Sequence, residues 1–139
     1  METINYEMPI YTFDIDFNSH VSNIVYIRWM EIGRLKLLDA VGMEINKIIQ
    51  QGFGPVLMET SISYKKPLLL SDKVKVELWV SELGKASAWL QFRFYNQMEE
   101  LAASGAQRGL FIDFVSGKPR RISDEERSKF EPYLIKENK

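Results

Sequence analysis

Residues 23–42 read NIVYIRWMEIGRLKLLDAVG. Val25, Trp29, Ile32, Leu35 and Leu38 recur at helical spacing, while Arg28, Glu31, Arg34, Lys36 and Asp39 fall mostly on other faces. The pattern predicts a long helix, entered at Asn23 or a neighbouring polar residue as N-cap and stopped at Gly42. Ile24, Val25, Tyr26, Ile27, Trp29 and Met30 make its first turns more apolar than a surface helix requires. Burial on more than one side is implied, and a helix wrapped by a curved sheet supplies it.

On either side of this helix the period changes. Tyr6 to Asp14 reads as a first strand, with Tyr11 and Phe13 on one face. A short helical piece at Glu44 to Gln51 is closed by Gly52 and Gly54. Period-two alternation then predicts strands at Val56 to Tyr64, Lys73 to Glu82, Ala86 to Asn96 and Leu101 to Val115. Chain reversals are expected at Gln97 to Glu100 and at SGKP from Ser116. In SDEERSKFEPYL, Ser123 and Glu126 stand at capping-box spacing before a short terminal helix. The order predicts one α+β domain over residues 1–139, its long helix against an antiparallel sheet. The sheet edges and wet face remain to be covered, which favours a homo-oligomer.

The bulk properties bound the function. The chain has 139 residues, a formal charge of -1, one histidine and no cysteine. Disulfides, thiol catalysis and thiolate metal sites are excluded, and no H-x-x-x-H or carboxylate cluster stands at ligand spacing. Near-neutral charge gives no global attraction to nucleic acid or an anionic membrane. The segment from Lys118 to Lys139, with seven Lys or Arg against five Asp or Glu, carries only a small basic bias. METINYEMPI lacks the features of a signal peptide, and no apolar run approaches a membrane span. A cytoplasmic location is the default expectation.

Just before the long helix stands DIDFNSH, Asp14 to His20. Asp16, Asn18 and His20 lie at i, i+2 and i+4, immediately ahead of helix amides that have no intrahelical partner and favour negative charge. A carbonyl placed there would be polarised as in an oxyanion hole. Asp16 can then attack that carbonyl or activate water, His20 can act as base or proton donor, and Asn18 can orient the water or the imidazole. Asp, Asn and Ser are also common capping and turn residues. Spacing alone favours a helix entry with spare polar residues; it permits the chemistry without compelling it.

YTFDIDFNSHVSNIVYIRWMEIGRLKLL resembles the signature of the hotdog-fold thioesterases, the 4-hydroxybenzoyl-CoA thioesterase-like superfamily, in which D-x-x-x-H/G-V-x-N-x-x-Y-x-x-W/F leads into the central helix. The matching residues are Asp16, His20, Val21, Asn23, Tyr26 and Trp29. A second similar block runs from Ile62 to Glu77, where Tyr64, Pro67 and Asp72 match Y-x-x-P-L-x-x-x-D. The resemblance spans about Pro9 to Ile122. It implies a single hotdog domain, a curved antiparallel sheet wrapped around a long central helix, with two active sites at a homodimer interface; a tetramer is a further possibility.

The resemblance also implies roles. Asp16 takes the position of the catalytic carboxylate of bacterial acyl-CoA thioesterases, and the backbone N–H of Asn23 that of the thioester-oxygen donor. Asp16, Asn18 and His20 are similar to the D-x-N-x-H segment of plant acyl-carrier-protein thioesterases, which favours a water-activating network. Tyr26, Trp29, Met30 and Met58, with Met43, stand as core or acyl-pocket wall. Glu59 stands as a second carboxylate, or as a rim charge or partner of Arg28. Lys65, Lys66, Lys85, Arg120 and Arg121 are weak phosphate contacts, and Gly84 to Ser87 is a tight turn that a cofactor arm could pass. CoA or phosphopantetheine enters as part of the substrate, with an acyl-carrier protein as a potential partner and no separate cofactor. The expected reaction is acyl-thioester hydrolysis; the alternatives are a noncatalytic acyl-thioester binding module and a 3-hydroxyacyl-thioester dehydratase.

Overall fold

The computed structural model describes residues 1–136. Five strands, β1 (Ile4–Met8), β2 (Phe53–Tyr64), β3 (Val74–Leu83), β4 (Ser87–Tyr95) and β5 (Leu101–Asp113), form one sheet in the order β1-β3-β4-β5-β2. Every neighbouring pair is antiparallel. The helices are α1 (Asn23–Ala40), α2 (Ile45–Gln50) and α3 (Asp124–Phe130).

Both edges of the sheet reach the same helix. From β1, the Tyr6 hydroxyl donates to the Trp29 carbonyl at 2.6 Å; from β2, the Tyr64 hydroxyl donates to the Asn23 carbonyl at 3.3 Å. Five strands laid flat would span about 19 Å, well beyond the roughly 10 Å diameter of a helix. The sheet therefore curves around α1, as the expected architecture requires.

The helix buries Val25, Tyr26, Trp29, Met30, Gly33, Leu37 and Leu38 against the concave face. Opposite them, Val76, Leu78, Phe92, Phe94 and Ala103 are almost fully buried. Two glycines set the fit. A Cβ at Gly33 would collide with the Tyr6 hydroxyl, and one at Gly105 would stand 2.7 Å from the Met30 methyl. Helix and sheet approach too closely there for a side chain.

Several expectations shift. The first strand is Ile4–Met8 rather than Tyr6 to Asp14, because Pro9 lacks the N–H that a ladder needs. Thr12–Asp14 forms a 3-10 turn instead, and the Tyr11 and Phe13 rings stack 5.2 Å apart in exposed positions. Ser22 occupies the N-cap position of α1, but its side chain makes no capping bond. Leu35 is 40% exposed, as are Ile24 and Ile27 in larger part, so the buried stripe runs through Tyr26, Met30, Gly33 and Leu37. The strong local signals fall where expected. Gly42 follows α1 with φ 74°, and Ser123 and Glu126 form a reciprocal capping box on α3.

Candidate active site

Asp16 begins a tight five-residue loop whose geometry its own carboxylate maintains. Asp16 Oδ1 accepts the backbone N–H groups of Asn18 at 2.9 Å and His20 at 3.2 Å. Asp16 N–H donates to the His20 carbonyl at 2.8 Å, and Ser19 N–H donates to the Asp16 carbonyl at 3.0 Å. Ser19 adopts φ 65° to close the turn. An Asp that collects amides two and four residues ahead is an Asx-type turn, the local reason this sequence bends here.

The loop is fixed from both flanks. Ile15 and Val21 form an antiparallel bridge beneath it, and Ser22 N–H donates to the Asp14 carbonyl at 2.8 Å. Asp14, only 5% exposed, accepts the Tyr11 N–H on its carboxylate at 2.9 Å. Val21 N–H donates to the carbonyl of Leu68, a fully buried residue. Asp72 in turn accepts the Leu69 N–H at 2.9 Å. The two sequence blocks therefore meet. Tyr64 and the turn after it hold the first turn of α1, and the Tyr64 ring packs edge-on against Tyr26 at 5.0 Å.

Asp16 is half-buried, whereas Asn18 and His20 are exposed. The structure brings all three to the entrance of α1, joined through the backbone. The Asn23 N–H opens the helix at the same place, where intrahelical acceptors are absent by geometry. A carboxylate, an imidazole and an amide carried by one loop directly before helix amides that lack intrahelical acceptors have the chemistry to bind a carbonyl oxygen, orient water and move a proton.

The other sequence-derived residues are more dispersed. Tyr26, Trp29 and Met30 are buried in the core, with Tyr26 edge-on to Trp29 at 5.3 Å and to Phe94 at 5.2 Å. Burial holds the Tyr26 hydroxyl well above its ordinary pKa, helped by the charges of Tyr64 and Asp72. Met43 is also buried, and Met58 is half-exposed at a bulge in β2. Glu59 is exposed, and among the described residues neither it nor Arg28 enters a salt bridge.

Among the basic residues, Lys66 pairs with Glu100. Arg120 makes a forked pair with Glu126 at 2.8 and 3.1 Å and lies 3.6 Å from the Phe53 ring centre. Lys65, Lys85 and Arg121 are exposed and outside the salt bridges of the described residues. The Gly84 to Ser87 segment is a tight turn, closed by Gly84 N–H to the Ser87 carbonyl at 2.7 Å. Arg127 of α3 donates to the Leu83 and Gly84 carbonyls and braces it.

An apolar cavity lies elsewhere, between the second half of α1, α2 and strands β2, β4 and β5. Its volume is about 330 Å³, and Tyr26, Trp29, Met30 and Met58 are not among its lining residues. Its nearest lining residue on α1 is Glu31, eight residues along the helix from Asn23, or about 12 Å. Sequence reasoning missed two polar residues associated with it. Arg34 lines it and donates to Gln107 Oε1 at 2.6 Å; Gln107, fully buried, donates to Thr60 Oγ1 at 3.2 Å. Gln107 sits among small residues in SGAQRG, which gave no sign of an inward-facing polar group.

Among the described residues, no helix is long and apolar enough to cross a membrane, and no group of His, Asp and Glu is arranged to hold a metal.

The profile of the thioesterase-like superfamily matches residues 11–130. YneP of Bacillus subtilis (strain 168) is 28% identical over 94 residues, covering 68% of this chain and 68% of its own. The chloroplastic acyl-acyl carrier protein thioesterase ATL3 of Arabidopsis thaliana is 26% identical over 131 residues, covering 92% of this chain and 67% of its own. The DHNA-CoA thioesterase structure from Staphylococcus aureus superposes with a TM-score of 0.87 at 23% identity, over 95% of this chain and 93% of that one. With the profile spanning most of the sequence and the same helix-in-sheet fold, the chain belongs to the thioesterase-like superfamily and has its hotdog fold.

Proposed function

We propose that this protein hydrolyses an acyl thioester of CoA or of an acyl-carrier protein, using Asp16, Asn18 and His20 at the entrance of α1. The observation that carries the reading is the Asp16 carboxylate, locked by two backbone N–H groups and half-buried beside the first amides of a long helix. Family membership and the ATL3 likeness, whose name specifies an acyl-carrier protein thioesterase, support the substrate class.

In this mechanism the thioester carbonyl lies against the Asn23 N–H, where the helix amides stabilise charge developing on its oxygen. Asp16 takes a proton from water as the oxygen of that water attacks the carbonyl carbon. Asn18 positions the water, and His20 supplies a proton to the departing sulfur. The carbon–sulfur bond breaks to leave a carboxylic acid and a thiol. Lys65, Lys85 and Arg121 are the cations open to the carrier's phosphates, while Tyr26, Trp29, Met30 and Met58 back or border the acyl path. Glu59 lies on the exposed β2 edge strand, where a second copy would bring it to the site rim.

The edge position of β2 supports a homodimer paired through this strand, with further pairing to a tetramer through the remaining surface. Thiol release by the purified protein from short, medium and long acyl-CoAs, benzoyl-type CoAs and matched acyl-carrier proteins tests the reaction. Activity that disappears in Asp16→Asn is expected. Turnover of a good substrate unchanged by that substitution would refute the assignment.

A further inference from the structure

The cavity along the second half of α1 combines two properties that the reaction at Asp16 does not use. Most of its wall is apolar, formed by side chains such as Leu38, Ile49, Leu57, Ala88 and Phe111. At about 330 Å³ it falls within the size range of small-molecule sites. Its wall also carries the guanidinium of Arg34 and, three residues earlier on α1, the exposed carboxylate of Glu31. The guanidinium has five N–H donors, and its one side-chain partner among the described residues is the neutral Gln107 oxygen. No carboxylate of the described residues forms a salt bridge with it. Burial lowers its pKa, an effect that the nearby charges of Glu31 and Tyr6 only partly offset. A half-buried cation with donors to spare beside an apolar chamber is complementary to a carboxylate with a hydrocarbon tail.

We propose that this cavity is a second binding site, separate from the Asp16 loop, for an aliphatic carboxylic acid whose carboxylate pairs with Arg34 and whose chain fills the space towards Gly109. Gln107 and Thr60 hold the guanidinium in place from behind. A free fatty acid has this chemistry, and it is also the class of product that thioester hydrolysis releases. The site would therefore let the protein sense its product, but binding itself does not depend on the assignment of Asp16.

Gly109 supplies a variant that leaves Arg34 intact. It lines the cavity on the same strand face as Gly105 and Gln107, and a Cβ there meets nothing closer than the Val56 carbonyl at 3.4 Å. Gly109→Leu thus fills the chamber without forcing the backbone.

Titration calorimetry of the purified protein with decanoate, and separately with decanol, tests the site without turnover. Decanoate should bind, with decanol at least about tenfold weaker. Arg34→Gln should weaken decanoate by about tenfold or more while leaving decanol unchanged, and Gly109→Leu should abolish binding of both. Inhibition of thiol release by decanoate should lower kcat and be relieved in Gly109→Leu. Equal affinity for acid and alcohol, no binding, or strictly competitive inhibition that persists in Gly109→Leu would each overturn the proposal. If Arg34→Gln fails to fold with Gln107 left unpaired, the acid-to-alcohol ratio and Gly109→Leu still decide it.

Discussion

Asp16 holds His20 by the backbone, its carboxylate oxygen 3.2 Å from the His20 nitrogen, rather than by the imidazole. The same oxygen thus has a structural duty in the loop and a proposed chemical one. Asparagine preserves the first, because its side-chain oxygen also accepts N–H groups, and removes the second. Asp16→Asn should keep its thermal midpoint close to the parent while thiol release falls by about 100-fold or more. Asp16→Ala should lose the activity and also melt earlier. Matching melting curves for the two variants would mean that the carboxylate does not hold the loop.

Asn18 and His20 present exposed side chains, so truncating either should change stability by no more than about 0.5 kcal/mol. Any loss of rate then reports chemistry. Asn18→Ala and His20→Ala should each reduce kcat by about tenfold or more with unaltered melting. If neither changes the rate, Asp16 works without them.

Gly33 sits where the Tyr6 hydroxyl passes to reach the Trp29 carbonyl. An added methyl must displace that hydroxyl, and it also meets the Phe92 ring at 3.2 Å. Gly33→Ala should cost about 1 to 3 kcal/mol in denaturant unfolding. In a Tyr6→Phe background the clashing oxygen is gone, and the cost should shrink by more than about 0.5 kcal/mol. Additive costs would show that Tyr6 does not limit the approach of helix to sheet.

Two buried phenols give the fold an alkaline limit. Burial raises the folded-state pKa of Tyr6, and burial with the charges of Tyr64 and Asp72 raises that of Tyr26. Below pH about 10 both phenols stay protonated, folded or unfolded, and contribute no slope. Above it the unfolded chain releases their protons first, so stability falls as pH rises. Chemical denaturation between pH 8 and 11 should show this decline beginning near pH 10, and Tyr6→Phe should make it shallower. A flat profile in the parent would contradict it.

The long helix, the four later strands and the α3 capping box were legible because each rests on local chemistry: periodicity, a turn, a cap. The Asp16 loop was legible as a cluster, but its wiring was not, because an Asp that binds amides two and four residues ahead looks like any acidic turn residue. Tyr11 and Phe13 misled, since aromatic alternation continued past Pro9 although the ladder could not. Leu35 misled for another reason: it lies at the cavity beside α1 and stays partly exposed instead of packing into the core. Arg34 and Gln107 stayed hidden because a pair 73 positions apart leaves no mark in either neighbourhood.

Along β5, Gly105, Gln107 and Gly109 face α1 in turn. At Gly105 the methyl of Met30 fills the gap; at Gly109 the gap stands open. Room inside the protein is thus metered by one strand, position by position, while the proposed chemistry belongs to a loop at the entrance of the helix. The two can drift separately. A lineage could resize what its members hold by exchanging single residues on β5, with the Asp16 loop inherited untouched.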